Sequence, residues 1–176
     1  MVGIEFTPVD IEVDENHFAN NPEQYVIQLS EKKALEAARK IGSGIIAAAD
    51  TIVHIEGQIL NKPVDAADAS RMLRLLSGRI HQVYTGYTIL RLPDMKKIQH
   101  SEETDVTFRE LTDEEINDYI ATGAPFDKAG SYGIQDDLSA LFVERIDGCF
   151  FNVVGLPLSR FYLSLRQFAD AEKTSR

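Results

Sequence analysis

A run of small and branched apolar residues, Ile45 to Ala49, stops at the carboxylate of Asp50. An uninterrupted apolar run followed by alternation predicts a strand over residues 45–55, buried along its first half. Ligands of open α/β sheets bind at the carboxyl ends of such strands. Asp50 therefore has two interpretations: a carboxylate that holds a metal or activates water, or an ordinary turn cap.

Helical and strand patterns alternate along the rest of the chain. We expect an α/β fold, with a mixed sheet and flanking helices, in one domain over residues 1–176 that ends in a tail from about residue 169. Turn, cap and periodicity signals place the other elements as follows: a strand at 4–9, a helix from Asn21-Pro22 to about Ile41, a helix from Asp65, strands at 80–92 and 98–110, a capping box at Thr112 and Glu115, a hairpin of "LFVERI" and "CFFNVV" around Asp147-Gly148, and a last helix from Pro157.

Charge and composition exclude several classes of protein. The net charge of −10 argues against broad contact with nucleic acid, although a local lysine cluster can still attract a small anion. No apolar run approaches the ~20 residues of a membrane span, and the N-terminus lacks the features of a signal peptide. A single cysteine, Cys149, fits the reducing cytoplasm.

A lysine interrupts the apolar stripe of the first helix. Val26, Leu29, Lys33, Ala37 and Ile41 share one helical face, so Lys33 lies in the middle of that face. Its side chain either snorkels to water or serves a site, and spacing alone favours snorkelling.

Three further segments carry polar groups that suit a site. Lys62 precedes a proline in a loop, "DKAGSYGIQ" at 127–135 is an irregular glycine-containing segment, and Asp14-Glu15 is an acid pair. Each has an ordinary interpretation as a solvated loop or turn.

Five segments in the order "AAADTIV", "ILNKPVD", "MLRLLSGRIHQVYTG", "FDKAGSYGIQ" and "NVVGLPLS" resemble the Maf (septum formation inhibitor) family. The resemblance extends from residue 3 to about 168. It implies a mixed α/β fold related to the inosine triphosphatases. It also implies a nucleoside triphosphate pyrophosphatase that uses a divalent metal, Mg²⁺ or Mn²⁺, and a possible homodimer.

The resemblance assigns roles to individual residues. Asp50 corresponds to the family's proton acceptor, and Lys33 and Lys62 to its catalytic lysines, although Asn61 replaces the glycine that usually precedes Lys62. At their positions, Thr51 and Gln135 resemble the residues of the family branch that acts on dTTP and UTP. Asp14 and Glu15 fall on the acids of the family's early loop.

These assignments form one mechanistic hypothesis. Asp50 with Glu15 or Asp14 would hold the metal, and a water near Asp50 would attack the α-phosphorus. Lys33, Lys62 and Lys128 would neutralise the triphosphate, since phosphoryl transfer depends mainly on positioning and charge.

One element that the resemblance implies does not occur in this sequence. The family pattern opens with a strand and a phosphate-binding turn of the type "LASxSPRR", whereas this sequence opens close to "GIEF" and contains no Ser-Pro-Arg-Arg. We therefore expect a chain truncated at its N-terminus relative to the family. The alternative function is a catalytically impaired Maf-like protein that binds nucleotide or regulates a partner.

Overall fold

The computed structural model describes residues 3–14 and 21–173, with side chains as far as residue 168. The elements, numbered here in chain order, are α1 (Pro22–Lys40), β1 (Gly44–Ile55), β2 (Gln58–Leu60), α2 (Ala66–Leu76), β3 (Ile80–Leu92), β4 (Lys97–Phe108), α3 (Asp113–Ala121), β5 (Val143–Asp147), α4 (Phe150–Val154) and α5 (Leu158–Lys173). Three short 3₁₀ turns lie between α3 and β5, at Ala124–Asp127, Ala129–Ser131 and Ser139–Phe142.

Five strands form one sheet in the order β2-β1-β3-β4-β5. Helices flank the sheet, which confirms the predicted α/β class. Every strand pairing in the described part of the chain is antiparallel, so the expected mixed sheet is not seen there. The β1–β2 hairpin explains the difference. It reverses the chain before α2, and β3 therefore returns antiparallel to β1.

The helix α1 packs closely against one face of the sheet. Asn21 caps its first turn by accepting a hydrogen bond from the Gln24 amide at 3.0 Å, as predicted. Its buried residues Val26 and Leu29 pack with Ile52 of β1. Gly86 of β3 lies directly beneath the helix, because a methyl group placed there would lie 2.5 Å from the Val26 carbonyl carbon and oxygen. The missing side chain of Gly86 sets the distance between α1 and the sheet.

The opposite face of the sheet holds the larger part of the core. There α2 and α3 pack against the strands beside aromatic residues of the following segments, in a cluster made up of Val53, Ile55, Leu60, Met72, Leu73, Leu76, Val83, Val106, Phe108, Ile116, Tyr119, Tyr132 and Phe142. The α5 residues Phe161 and Phe168 cover Tyr87 and Ile89 of β3. No helix in residues 3–14 and 21–173 is both long and apolar enough to cross a bilayer.

The strand β1 differs from its prediction in one respect that matters for the site. Asp50 lies in the middle of β1 and not at its carboxyl end. Among the described strands, β1 pairs with β3 along nearly its whole length, but with β2 only at Val53–Ile55. The first half of β1 is therefore only partly covered, and Ile45 is exposed although a buried run was expected.

Three other predictions differ from the structure. Residues 4–9 form no strand; Val9 and neighbouring apolar residues instead fill a hydrophobic cluster with Ala34 and Ile46 without pairing. The segment "CFFNVV" does not return as a hairpin strand, because it turns into α4 and buries Asn152. The helix α5 runs to Lys173, beyond the residue at which a tail was expected.

We expect Gly86→Ala to lower the free energy of unfolding by ~1–3 kcal/mol, the usual cost of overpacking, because α1 must move away from the sheet. Gly42→Ala is the matched control, since nothing lies within 4 Å of a methyl group there. Chemical denaturation of both variants checks the prediction. Equal stability of the two variants would show that α1 does not rest on Gly86.

Buried His81 predicts a loss of stability in acid. Its Nε2 lies 2.7 Å from the Tyr132 hydroxyl, and burial lowers its pKa from 6.5 to about 3. In the unfolded chain this histidine takes up a proton near pH 6.5, whereas in the folded protein it does so only near pH 3. The contribution of the neutral His81 to the free energy of unfolding is therefore complete above pH 6.5 and is lost as the pH falls toward 3.

We expect His81→Gln to flatten the dependence of unfolding free energy on pH between 6.5 and 4, by up to roughly 1.4 kcal/mol per pH unit. His54→Gln, at a half-buried histidine of β1, is the control. Unfolding measured at several pH values gives both slopes. A slope in His81→Gln as steep as in the wild-type protein would contradict the prediction.

Candidate active site

An ion pair between Lys33 and Asp50 joins α1 to β1. Lys33 Nζ donates to Asp50 Oδ1 at 2.5 Å, and the two side chains are only 20% and 11% exposed. Asp50 stands opposite Gly86 in the sheet register, so the close approach of α1 at Gly86 brings the helix within reach of this carboxylate. Lys33 does not simply snorkel to water, and Asp50 is not a turn cap.

A cleft of about 320 Å³ opens beside this ion pair. It lies where β1 extends past the end of β2, and α1, the β2–α2 loop, the segment after α3 and the end of α4 contribute to its walls. Six residues singled out in the sequence line it together: Lys33, Asp50, Thr51, Lys62, Lys128 and Gln135. Residues up to 102 positions apart in the chain thus share one cavity, as the hypothesis of a single site requires.

Thr51 reaches the cleft from the other face of β1. Its hydroxyl lies 2.8 Å from the Thr85 hydroxyl and 3.4 Å from the Gly155 carbonyl. Thr85 in turn donates to the Asn152 carbonyl at 3.0 Å. These hydrogen bonds join Thr51 to the segment after α4 and fix that wall of the cleft.

The segment after α3 supplies a second group of charges. Lys128 Nζ donates to Asp127 Oδ1 at 2.7 Å and to the Ala124 carbonyl at 2.9 Å, and lies 3.4 Å from Asp136 Oδ2. Burial opposes the charge of this ammonium, but the two carboxylates outweigh burial and raise its pKa. The hydrogen bond from Lys128 lowers the pKa of Asp127.

Other polar side chains face the cleft and form no hydrogen bond within the described parts of the chain. Lys62, Asn61 and Gln135 are exposed, and their side chains make no hydrogen bond or ion pair with the described residues. The main chain around Asn61 is held in place, since its carbonyl accepts a hydrogen bond from the Gly130 amide at 3.1 Å. These three side chains are available for a ligand.

Several cleft residues carried no distinct signal in the sequence. Asp127, Tyr132, Asp136 and Val153 also line the cleft, and the sequence assigned no individual role to any of them. The "FDKAGSYGIQ" and "NVVGLPLS" segments did mark the right stretches of chain. Only the folded structure shows that Asp127 and Asp136 both face Lys128.

A metal site is less complete than the sequence suggested. Asp14 is exposed and does not line the cleft, while Glu15 lies outside the described residues. Among residues that the structure describes, no cluster of three histidine, cysteine or acidic side chains could hold a metal. Asp50 alone still fits Mg²⁺ chemically, because that ion typically takes one or two carboxylates together with substrate phosphates and water.

Comparison with known proteins identifies the family of this chain. A family model described as "Maf-like protein" matches residues 1–168. A dTTP/UTP pyrophosphatase of Carboxydothermus hydrogenoformans is 50% identical over 163 residues, which cover 93% of this chain and 87% of that protein. Proteins with the same name from Thermoanaerobacter sp. and Clostridium tetani are 45% and 44% identical, over 96% and 93% of this chain and 88% and 85% of theirs. The chain, with its ion-paired carboxylate and its lysine-lined cleft, belongs to the Maf family.

Proposed function

We propose that this protein is a nucleoside triphosphate pyrophosphatase that hydrolyses dTTP and UTP to the monophosphate and pyrophosphate. The observation that carries the proposal is the meeting of Lys33, Asp50, Lys62 and Gln135 in one cleft. The similarity to proteins named dTTP/UTP pyrophosphatase supports the choice of nucleotides.

Asp50 is the proposed general base. Its carboxylate, fixed on β1, accepts a proton from the water that attacks the α-phosphorus. Lys33 holds one carboxylate oxygen in place and offers positive charge to the phosphates beside it. Lys62, which is exposed and without a protein partner in the described chain, binds the triphosphate as a point charge.

The charge of the cleft supports a requirement for a divalent cation. Three lysines and three aspartates line the cleft, so their formal charges cancel and leave the charge of a triphosphate uncompensated. Asp50 would be the residue that holds Mg²⁺ or Mn²⁺, and the ion would supply the missing positive charge. Glu15 and Asp14 remain predicted as further ligands.

The base of the nucleotide is assigned to the other end of the cleft. The Gln135 amide offers both a donor and an acceptor to a base edge, and Thr51 lines the same cleft. A site that hydrogen-bonds its substrate rejects bases that leave its polar groups unpaired. Cytoplasmic location and a homodimer complete the proposal, the first supported by the single cysteine and the second by family resemblance alone.

We expect purified protein to release pyrophosphate from dTTP and UTP faster than from purine triphosphates, and only with Mg²⁺ or Mn²⁺ present. Quantifying pyrophosphate and orthophosphate across a nucleotide panel, with and without a chelator, checks this. Orthophosphate as the first product would contradict the proposed bond cleavage. Nucleotide binding without turnover would favour the alternative of a regulatory, catalytically impaired protein.

We expect Asp50→Asn to lower kcat for dTTP by at least ~10²-fold, the lower range of general-base contributions. Lys33→Met should also lower turnover, because it removes the partner of Asp50 and a positive charge. Lys40→Met, in the last turn of the same helix and outside the cleft, is the matched control.

Steady-state kinetics together with denaturation curves separate loss of chemistry from loss of folding. An Asp50→Asn variant that keeps a tenth of the wild-type rate would rule out Asp50 as the base. Normal kinetics in Lys33→Met would return Lys33 to a purely structural role.

A further inference from the structure

The ammonium of Lys128 is already engaged inside its own loop. It donates hydrogen bonds to the Ala124 carbonyl and to Asp127, and it forms an ion pair with Asp136 at 3.4 Å. Its side chain is only 25% exposed. Lys62, by contrast, faces the same cleft and has no such partner among the described residues.

Asp136 connects this ammonium to the core. The Tyr119 hydroxyl donates to Asp136 Oδ2 at 2.8 Å, and Tyr119 belongs to α3 and is 1% exposed. Burial raises the pKa of Tyr119, so the hydroxyl keeps its proton and remains a donor. The chain of contacts from Tyr119 through Asp136 to Lys128 therefore starts on a rigid element.

The main chain also closes over the lysine stem. A methyl group placed on Gly133 would lie 2.6 Å from Lys128 Cε and 2.7 Å from Cδ. Ser139 secures the same turn, because its hydroxyl donates to the Gly133 carbonyl at 2.6 Å. Gln135 follows two residues after Gly133 and directly precedes Asp136, so the position of Gln135 depends on this packing.

The charges around Lys128 argue against binding of the triphosphate by its ammonium. If the ammonium turned toward a triphosphate, Asp127 and Asp136 would be left as two carboxylates beside a polyanion. Like charges at such distances repel, and the partly buried Asp136 would lose its cation and keep only the Tyr119 hydroxyl as a partner.

We infer that Lys128 is a positioning residue, which pairs with Asp127 and Asp136 to hold the loop that aims Gln135 at the nucleotide base, and that it does not bind the triphosphate. This inference rests on the proposed function, since it assigns the base and phosphate ends of the same cleft. It makes Lys128 a determinant of base selectivity through Gln135.

The experiment compares Lys128→Met with two reference variants, Gln135→Ala for the base end and Lys62→Met for the phosphate end. Two ligands, dTMP and pyrophosphate, report on the two ends through the rise in melting temperature that each causes and through inhibition constants. The ratio of kcat/KM for dTTP to that for dATP gives base selectivity.

We expect Lys128→Met to behave like Gln135→Ala, with selectivity and dTMP affinity reduced on the order of tenfold, as for loss of a hydrogen-bonding partner. Its affinity for pyrophosphate should stay within about twofold of wild type, whereas Lys62→Met should lose about tenfold there. The double variant Lys128→Met, Asp136→Asn should regain part of the selectivity, because it removes a carboxylate left without its partner.

Weakened pyrophosphate binding with unchanged selectivity in Lys128→Met would overturn the inference, as would failure of the double variant to differ from the single one. If Lys128→Met does not fold, the double variant replaces it in the same measurements, because it removes the positive charge of Lys128 together with the negative charge of Asp136. If the wild-type protein binds both ligands but does not hydrolyse dTTP, the proposed function is wrong. The affinities of the variants for dTMP and pyrophosphate would still decide the role of Lys128. A wild-type protein that binds neither ligand overturns both.

Discussion

The contact between α1 and the sheet at Gly86 sets the position of the cleft wall that carries Lys33. A side chain at that position would collide with the backbone at Val26, so only glycine lets the helix lie this close. The same contact brings Lys33 to Asp50, across the sheet from Gly86 in the strand register. Without this approach the carboxylate would lack its cation, and one wall of the cleft would move away from the other.

The cleft combines two kinds of polar group with different consequences. Lys33, Asp50 and Lys128 are held by ion pairs in partly buried surroundings, which fixes their geometry before any ligand arrives. Lys62 and Gln135 are exposed and have no partner within the described residues, so a ligand can bind them without breaking protein contacts. Fixed groups suit positioning and chemistry, whereas exposed groups suit recognition of a substrate that must enter and leave.

Local chemical signals predicted most of this fold, and long-range contacts account for the errors. The cap at Asn21 and the capping box at Thr112 depend on residues three apart, so sequence alone identified both. The apolar run before Asp50 gave the strand, but the continuous pairing with β3 on both sides of Asp50 shows that Asp50 lies in the middle of the strand.

The candidate site follows the same division. Ordered motifs identified five of the six residues that meet in the cleft, because each motif is local, and the apolar stripe of α1 drew attention to the sixth, Lys33. Two other contacts depend on tertiary packing that no short pattern encodes. One is the contact of Lys128 with Asp127 and Asp136, and the other is the contact between His81 and Tyr132, which are 51 positions apart. The segment "CFFNVV" has the composition of a strand but forms a helix. The helix buries Asn152, whose side chain hydrogen-bonds to β3 and β4.

That asparagine has a consequence for aggregation. Asn152 Nδ2 donates to the Val83 carbonyl at 2.9 Å and to the Thr104 hydroxyl at 3.0 Å, and the main-chain carbonyl of Asn152 accepts from the Thr85 hydroxyl. As a strand, the aromatic and β-branched residues of this segment would lie next to β5, the last strand of the sheet. They would then form an exposed apolar edge strand that can pair with strands of other chains. By holding these residues in a short helix, three buried hydrogen bonds remove a template for intermolecular sheet formation, so Asn152 protects the protein's solubility as well as its shape.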